Sequence, residues 1–315
     1  MRVLFICSGN STAGISPVVA RQGESLERAG LTLDFFPVMG KGLRGYLRSS
    51  FLLRRHIKSN IYDIYHGHYS LSGFVSTFAL IMAGKNPRRN LIVSLMGSDL
   101  YDSHFLLHTA RFFARFCWAA TIVKSSSMKT LLGLSSSEVI PNGVNMKIFF
   151  PADKYSAKVR LGYEVSQKLI IFIGDPGRPE KNYPLAIKVV EILDDKSIRL
   201  VVLDKQSAEA VADHLNAADL LLSTSLWEGS ANVIKEAMAC NLPVVATPAG
   251  DAKELLDDCE GNFVTTFDPG EIAMKVRLVL SSVSSSHGRD KLFKLGLDDI
   301  SVAERIKGIY KEMPR

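Results

Sequence analysis

The stretch from Ser225 to Ala246, SLWEGSANVIKEAMACNLPVVA, reads as the close of a strand, a polar loop, a helix, a turn and another strand. The same alternation runs outward in both directions. Short Val/Ile/Leu runs at Val3–Cys7, Leu31–Phe36, Ile61–His66, Leu91–Leu95, Ala120–Val123 and Glu138–Ile140 form one series of expected strands. A second series comprises Lys168–Ile173, Ile198–Leu203, Asp219–Ser223, Leu242–Ala246 and Phe263–Thr265. Helical patterns lie between them, near 16–30, 42–58, 71–84, 103–118, 126–133, 183–194, 206–217, 230–239, 251–257 and 269–281. Continuous apolar runs joined by helices are the signature of parallel sheets covered on both faces. Two such series predict an α/β chain of two doubly wound, Rossmann-like domains. Pro141-Asn142-Gly143-Val144 punctuates the chain between the series, so the reading divides it into 1–145 and 146–315. The last helix, near 301–312, is compatible with either domain, including one that packs back on the first.

Composition bounds the function. The 315 residues are 47% hydrophobic and 22% charged, which rules out global disorder. The four cysteines, Cys7, Cys117, Cys240 and Cys259, form no C-x-x-C pair. A disulfide framework or zinc site is therefore not expected, and a reducing cytoplasm fits. The first apolar run is too short for a signal-peptide core, and no stretch reaches the roughly 20 apolar residues needed to span a bilayer. Net charge is +6, unevenly placed. Lys41, Arg44, Arg48, Arg55 and Lys58 share one side of an expected helix, with Leu43, Tyr46, Leu47, Leu53 and Ile57 gathered on another. This is either a solvated basic face or a dock for anionic lipid headgroups, and the two are compatible. Nucleic acid is not expected as a partner, because no aromatic array interleaves with these cations.

In open parallel sheets, ligands bind beyond the carboxyl ends of the strands, so functional residues are expected in strand-to-helix loops and in a cleft between two facing domains. Glu228 stands in such a loop, with Gly229 and Ser230 before a helix whose first N–H groups form an anion site. Glu236 follows eight residues on, roughly 12 Å away along a helix. One carboxylate before the anion site and one behind it suit a ligand with hydroxyls on both sides of a diphosphate, as in a nucleoside diphosphate sugar. On spacing alone, a helix-start charge and a solvated helix residue explain the two glutamates equally well.

This Glu-x7-Glu stretch, with its Glu-Ala-Met-Ala and Pro-Val-Val-Ala continuation, resembles the signature of the retaining GT-B glycosyltransferases of family 4 (group 1 glycosyl transferases). The resemblance extends to Ile140–Asn145, Gly174–Asn182, Thr247–Gly250, the turn Gly9–Gly14, His66-Gly67-His68 and Met96–Asp99, and so spans most of the chain. It implies that Glu228 contacts donor sugar hydroxyls and Glu236 the ribose. It places Gly14, Gly174, Gly229, Ser230, Ala231, Asn232 and Val233 around the donor. Lys181 matches the family lysine that neutralises the diphosphate. The family arginine usually follows the glycine directly, where this chain has Asp175; Arg178 is the expected substitute. The first domain is expected to bind the acceptor, with His68 and Ser98 as contacts. Met96 stands where many relatives carry a histidine near the reacting centre. Asp99 is then the nearest polar candidate for the chemistry, against the alternative of an Asp capping the following helix.

The implied function is metal-independent transfer of a hexosyl or related sugar, with retention, from a nucleoside diphosphate sugar to a saccharide or lipid-linked acceptor in cell-envelope polysaccharide or glycan synthesis. The chain is expected in the cytoplasm, peripheral at the inner membrane face. No D-x-D triplet occurs, and no cofactor or metal is expected. Two other readings stay open: a sugar-nucleotide epimerase or phosphorylase on the same architecture, and a non-catalytic nucleotide-sugar-binding relative. The second is favoured by Met96, by Asp175 and by a short second domain, in which Gln206–Ala217 stands where the family commonly has a further strand and helix.

Overall fold

A computed structural model describes residues 1–10, 14–40, 42–282 and 285–314. The chain forms two compact units, Met1–Gly143 with the stretch from Asp299, and Val144–Asp298. The division thus falls two residues before the one read from sequence, and the last helix belongs to the first unit.

Unit 1 contains six strands: β1 (Arg2–Ser8), β2 (Thr32–Val38), β3 (Ile64–His68), β4 (Leu91–Ser94), β5 (Ala120–Val123) and β6 (Glu138–Val139). They form one parallel sheet in the order β2-β1-β3-β4-β5-β6. Successive residues of a strand point to opposite faces. Leu4 and Ile6 accordingly enter one core with Leu53, Ile57, Val75, Leu80, Leu107 and Met128 from the helices on that face. Val3, Phe5 and Cys7 enter the other, with Val19, Leu26, Val302, Ile306 and Tyr310. Both faces are dry, which is why the strands read as unbroken apolar runs.

The helix Asp299–Glu312 closes that second core. Its polar groups fix the docking: Arg28 meets Asp299 at 2.5 Å, Arg305 donates to the Val139 carbonyl, and Lys307 donates to the Ala29 carbonyl. At its end the Tyr310 hydroxyl lies 2.5 Å from His66 Nδ1, with both side chains fully buried.

The third strand departs from the reading. It was expected at Ile61–His66 and runs Ile64–His68, so both histidines lie within the strand and are buried. Asp63 is engaged at the sheet's lower edge, its carboxylate accepting the Arg2 N–H, and Ile61 faces solvent. The polar residues fit inside because Gly67 and Gly73 let strand and helix touch. A Cβ at Gly67 would lie 3.2 Å from the Gly73 backbone.

Unit 2 contains β7 (Lys168–Ile173), β8 (Ile198–Leu203), β9 (Leu220–Ser223), β10 (Val244–Ala246) and β11 (Phe263–Val264), all parallel, in the order β11-β10-β9-β7-β8. Ile171 and Leu221 face one core with Val211, Leu215, Ile234 and Leu292. Ile170, Phe172 and Leu222 face the other with Leu185, Val189, Ile272 and Val276. A single helix, Ala208–Ala217, joins β8 to β9. The helices Lys154–Arg160 and Gly288–Lys294 were not expected from the sequence.

Candidate functional site

Three strand-to-helix loops of unit 2 meet at the carboxyl end of its sheet. The first leaves β7 at Gly174, whose φ of 146° belongs to glycine. The Asp175 carboxylate accepts the Gly177 N–H at 2.8 Å, and its carbonyl accepts the Arg178 N–H. Asp175 therefore shapes the turn that carries Arg178. A single 3-10 turn, Pro179–Lys181, then leads into the helix Tyr183–Leu193.

The second loop, after β9, is stitched to the first. Thr224 Oγ1 donates to the carbonyls of Lys181 and Asn182, both at 3.0 Å, and Leu226 N–H donates to the Glu180 carbonyl at 2.8 Å. These bonds bring Lys181 Nζ to 2.5 Å from Glu228 Oε1, and Ser225 Oγ donates to the same oxygen at 2.9 Å. The third loop, after β10, supports the second from below. Thr247 Oγ1 donates to the Ser225 carbonyl at 2.6 Å. Gly250 sits against Glu228, where a Cβ would approach the Glu228 Cβ to 3.0 Å.

The start of the helix Asn232–Ala239 is less bare than the sequence suggested. The Ala231 N–H donates to Asp251 Oδ1 at 3.0 Å. The Ser230 hydroxyl donates to Asp251 Oδ2 at 2.6 Å and accepts from Lys235 Nζ at 2.8 Å. Lys235 is fully buried, and burial lowers its ammonium pKa against the pull of Asp251 and Glu236. Glu236 is buried rather than solvated, and Gly229 and Ser230 are buried beside it. Asn232 and Val233 are half-buried on the first turn. The Asp251–Ser230–Lys235 cluster left no mark in the sequence reading, because its members are not linked by any motif spacing.

Arg178 also has a carboxylate partner, Glu180, to which its Nε donates at 2.6 Å. Partial burial pushes Glu180 up, but its own backbone N–H and Arg178 together hold it below the usual range. The structure thus brings Lys181, Glu228, Gly174 and Arg178 into neighbouring loops, with each cation matched to a carboxylate.

In unit 1 a cavity of about 400 Å³ opens at the carboxyl ends of β1 and β2, with Tyr46, Tyr69, Ser70, Ser98, Asp99 and Asp102 in its wall. Tyr69 holds φ at 73°, a strained value for a residue with a side chain. Ser98 lines this cavity; His68 does not. The His68 ring is buried in β3, stacked 4.4 Å from His66 and tilted at 58° to Phe5 at the same distance, with no hydrogen-bond partner on either nitrogen among the described residues. Burial, then His66 and Lys124, keep it neutral. Asp99 is pinned: one carboxylate oxygen accepts the Ser70 N–H and the other the Met96 N–H, each at 2.6 Å. It secures the start of the helix Ser70–Met82 rather than capping the helix that follows it. Burial raises its pKa against these two bonds. Gly14 has φ of 73°, while Ser11, Thr12 and Ala13 of the same turn lie outside the described residues. Helical spacing put Tyr46 on the apolar side of its helix and not at a site, and Tyr69, a lone tyrosine, carries no periodic signal.

The helix Gly42–Ser59 exposes Arg44, Arg48, Arg55 and Lys58; Lys41 lies outside the described residues. Leu53 and Ile57 are buried as expected, but Leu43 and Leu47 face solvent, with Phe51 beside them. No described helix is long and apolar enough to cross a membrane.

Two successive units, each a parallel, doubly wound α/β sheet, make a fold of the GT-B class. The comparisons agree. Residues 170–282 match the family model described as glycosyl transferases group 1. The chain is 26% identical over 218 residues to TuaC of Bacillus subtilis (strain 168), provisionally named a teichuronic acid biosynthesis glycosyltransferase; the match covers 61% of this chain and 55% of that one. It is 24% identical over 268 residues to D-inositol 3-phosphate glycosyltransferase of Nocardiopsis dassonvillei, covering 70% and 62%. The matches therefore span under two thirds of these relatives' lengths. Among solved structures, sucrose-phosphate synthase from Thermosynechococcus elongatus superposes with a TM-score of 0.83 at 16% identity, over 99% of this chain and 98% of that one. Anabaena Alr3699/HepE in complex with UDP and glucose gives 0.79 at 17% identity, over 99% of both chains.

Proposed function

We propose that the chain is a retaining glycosyltransferase, which moves a sugar from a nucleoside diphosphate sugar to an acceptor hydroxyl in cell-envelope polysaccharide or lipid-linked glycan synthesis. The observation that carries this reading is the Lys181–Glu228 pair within the stretch matched by the group 1 model. Departure of a nucleoside diphosphate places negative charge on the β-phosphate, and preorganised cations lower that barrier. Lys181 supplies the enclosed charge, Arg178 a more exposed one, and no metal is required for the step. Glu228 receives a sugar hydroxyl and Glu236 the ribose. The leaving phosphate helps to take the acceptor proton on the same face, which retains the anomeric configuration. The hydroxyl-rich cavity of unit 1, with Ser98 in its wall, receives the acceptor.

The membrane is the proposed setting. Arg44, Arg48, Arg55 and Lys58 alternate with outward Leu43, Leu47 and Phe51 on one helix, a pattern suited to an anionic interface. Incubation with UDP- and GDP-sugars and a lipid-linked acceptor tests the activity, with product configuration read by NMR. Nucleoside diphosphate release no faster than from Lys181→Ala refutes it. Vesicle sedimentation that ignores anionic lipid refutes the membrane assignment.

A further inference from the structure

The donor site holds an internal salt bridge that the substrate has to replace. Lys181 Nζ and Glu228 Oε1 lie 2.5 Å apart, with side chains 14% and 17% exposed. The Arg178–Glu180 pair differs, since its guanidinium side chain is 56% exposed and solvent-screened. The enclosed pair is also held on both sides. The Lys181 stem runs across Gly174, where a Cβ would come within 3.2–3.3 Å of Cγ, Cδ and Cε. Glu228 is held by the Ser225 hydroxyl and backed by Gly250.

We propose that Glu228 acts as a built-in counter-ion that makes the site discriminate glycosylated from bare nucleoside diphosphate. This rests on the donor-site reading above. A diphosphate needs the Lys181 ammonium. Taking it leaves the Glu228 carboxylate without its cation and beside new negative charge, a like-charge juxtaposition that opposes binding. A sugar on the β-phosphate offsets this, because its hydroxyls donate to Glu228 in place of the lysine. A bare nucleoside diphosphate brings no such donor. Once the sugar has moved to the acceptor, Glu228 reclaims Lys181 and the product is expelled. The residue that positions the sugar is thereby also the one that clears the site.

Calorimetry on the full chain tests this with UDP, GDP, UDP-glucose and GDP-mannose. Glu228→Gln keeps the side-chain size and a hydrogen-bond acceptor for Ser225 while removing the charge. It is expected to bind bare nucleoside diphosphate about tenfold more tightly than the wild type at low salt, with a smaller preference for the glycosylated form. Equal or weaker binding of the bare nucleotide by a folded Glu228→Gln overturns the inference. Should that variant not fold, the wild type decides: the proposal requires the nucleotide sugar to bind more tightly than the matching nucleotide, and the reverse order overturns it. Wild-type protein that binds none of the four removes the donor-site reading itself, and the inference with it.

Discussion

Lowering the pH from 7.5 to 5 should destabilise unit 1 through two histidines buried in β3. Burial, reinforced by the Lys124 ammonium, brings the His66 imidazole down to about 3, and His68 moves in the same direction. In the unfolded chain a histidine titrates near 6.5. Between those values the unfolded state holds a proton that the folded state refuses, so stability is complete above 6.5 and drains as pH falls. Each pH unit below 6.5 costs about 1.4 kcal/mol per histidine, so His66 alone removes about 2 kcal/mol at pH 5. His68 adds to this. Asp99 opposes it, since its raised pKa favours the folded state as protons become available. Trp118 lies in unit 1 and is bonded to Thr77, while the other tryptophan, Trp227, lies in unit 2. A Trp227→Phe background therefore lets fluorescence follow unit 1 during urea unfolding. The urea midpoint should drop between pH 7.5 and 5, and replacing both histidines with glutamine should flatten that slope. A midpoint that holds steady or rises over this range would falsify the assignment of neutral, buried imidazoles.

Tyr310→Phe leaves the His66 Nδ1 without its partner in a dry core, at a cost of about 1–3 kcal/mol, visible as faster amide exchange along the helix Asp299–Glu312. Asp219→Ala strips the shared carboxylate from Lys154 and the nearly enclosed Lys158. A loss of about 3–5 kcal/mol in unit 2 is expected, read from the thermal midpoint. Gly250→Ala places a Cβ 3.0 Å from that of Glu228 at a φ of 63°. Transfer activity should fall sharply while circular dichroism stays native; full activity would show that Glu228 tolerates displacement.

The sheets were legible because burial on both faces forces continuous apolar runs, as in Lys168–Ile173 and Ile198–Leu203, where the expected and observed strands coincide. β3 was misplaced because its residues, Ile64 to His68, hide two histidines and a glycine, and nothing local signals that they pack. The helix Lys154–Arg160 escaped because seven residues scarcely complete two turns of periodicity. At the site, the motif picked out Glu228, Glu236 and Lys181 singly. It did not show that Lys181 and Glu228 neutralise each other across 47 residues, or that Asp251 reaches back to Ser230. Those pairings depend on how three loops are stitched, which lies in tertiary packing. Leu43 and Leu47 show the opposite failure: helical spacing placed them on the apolar side with Leu53 and Ile57, yet only the latter pair is covered.

The return of Asp299–Glu312 to the first sheet makes unit 2 an insertion within unit 1. During synthesis the second core can close as soon as its own strands have emerged. The first must wait, with Val3, Phe5 and Ile92 only partly covered by Val19 and Leu26, until Val302, Ile306 and Tyr310 leave the ribosome. A truncation before Asp299 would thus spare the later-made half and cripple the earlier one, and chaperone dependence should track the nascent N-terminal sheet.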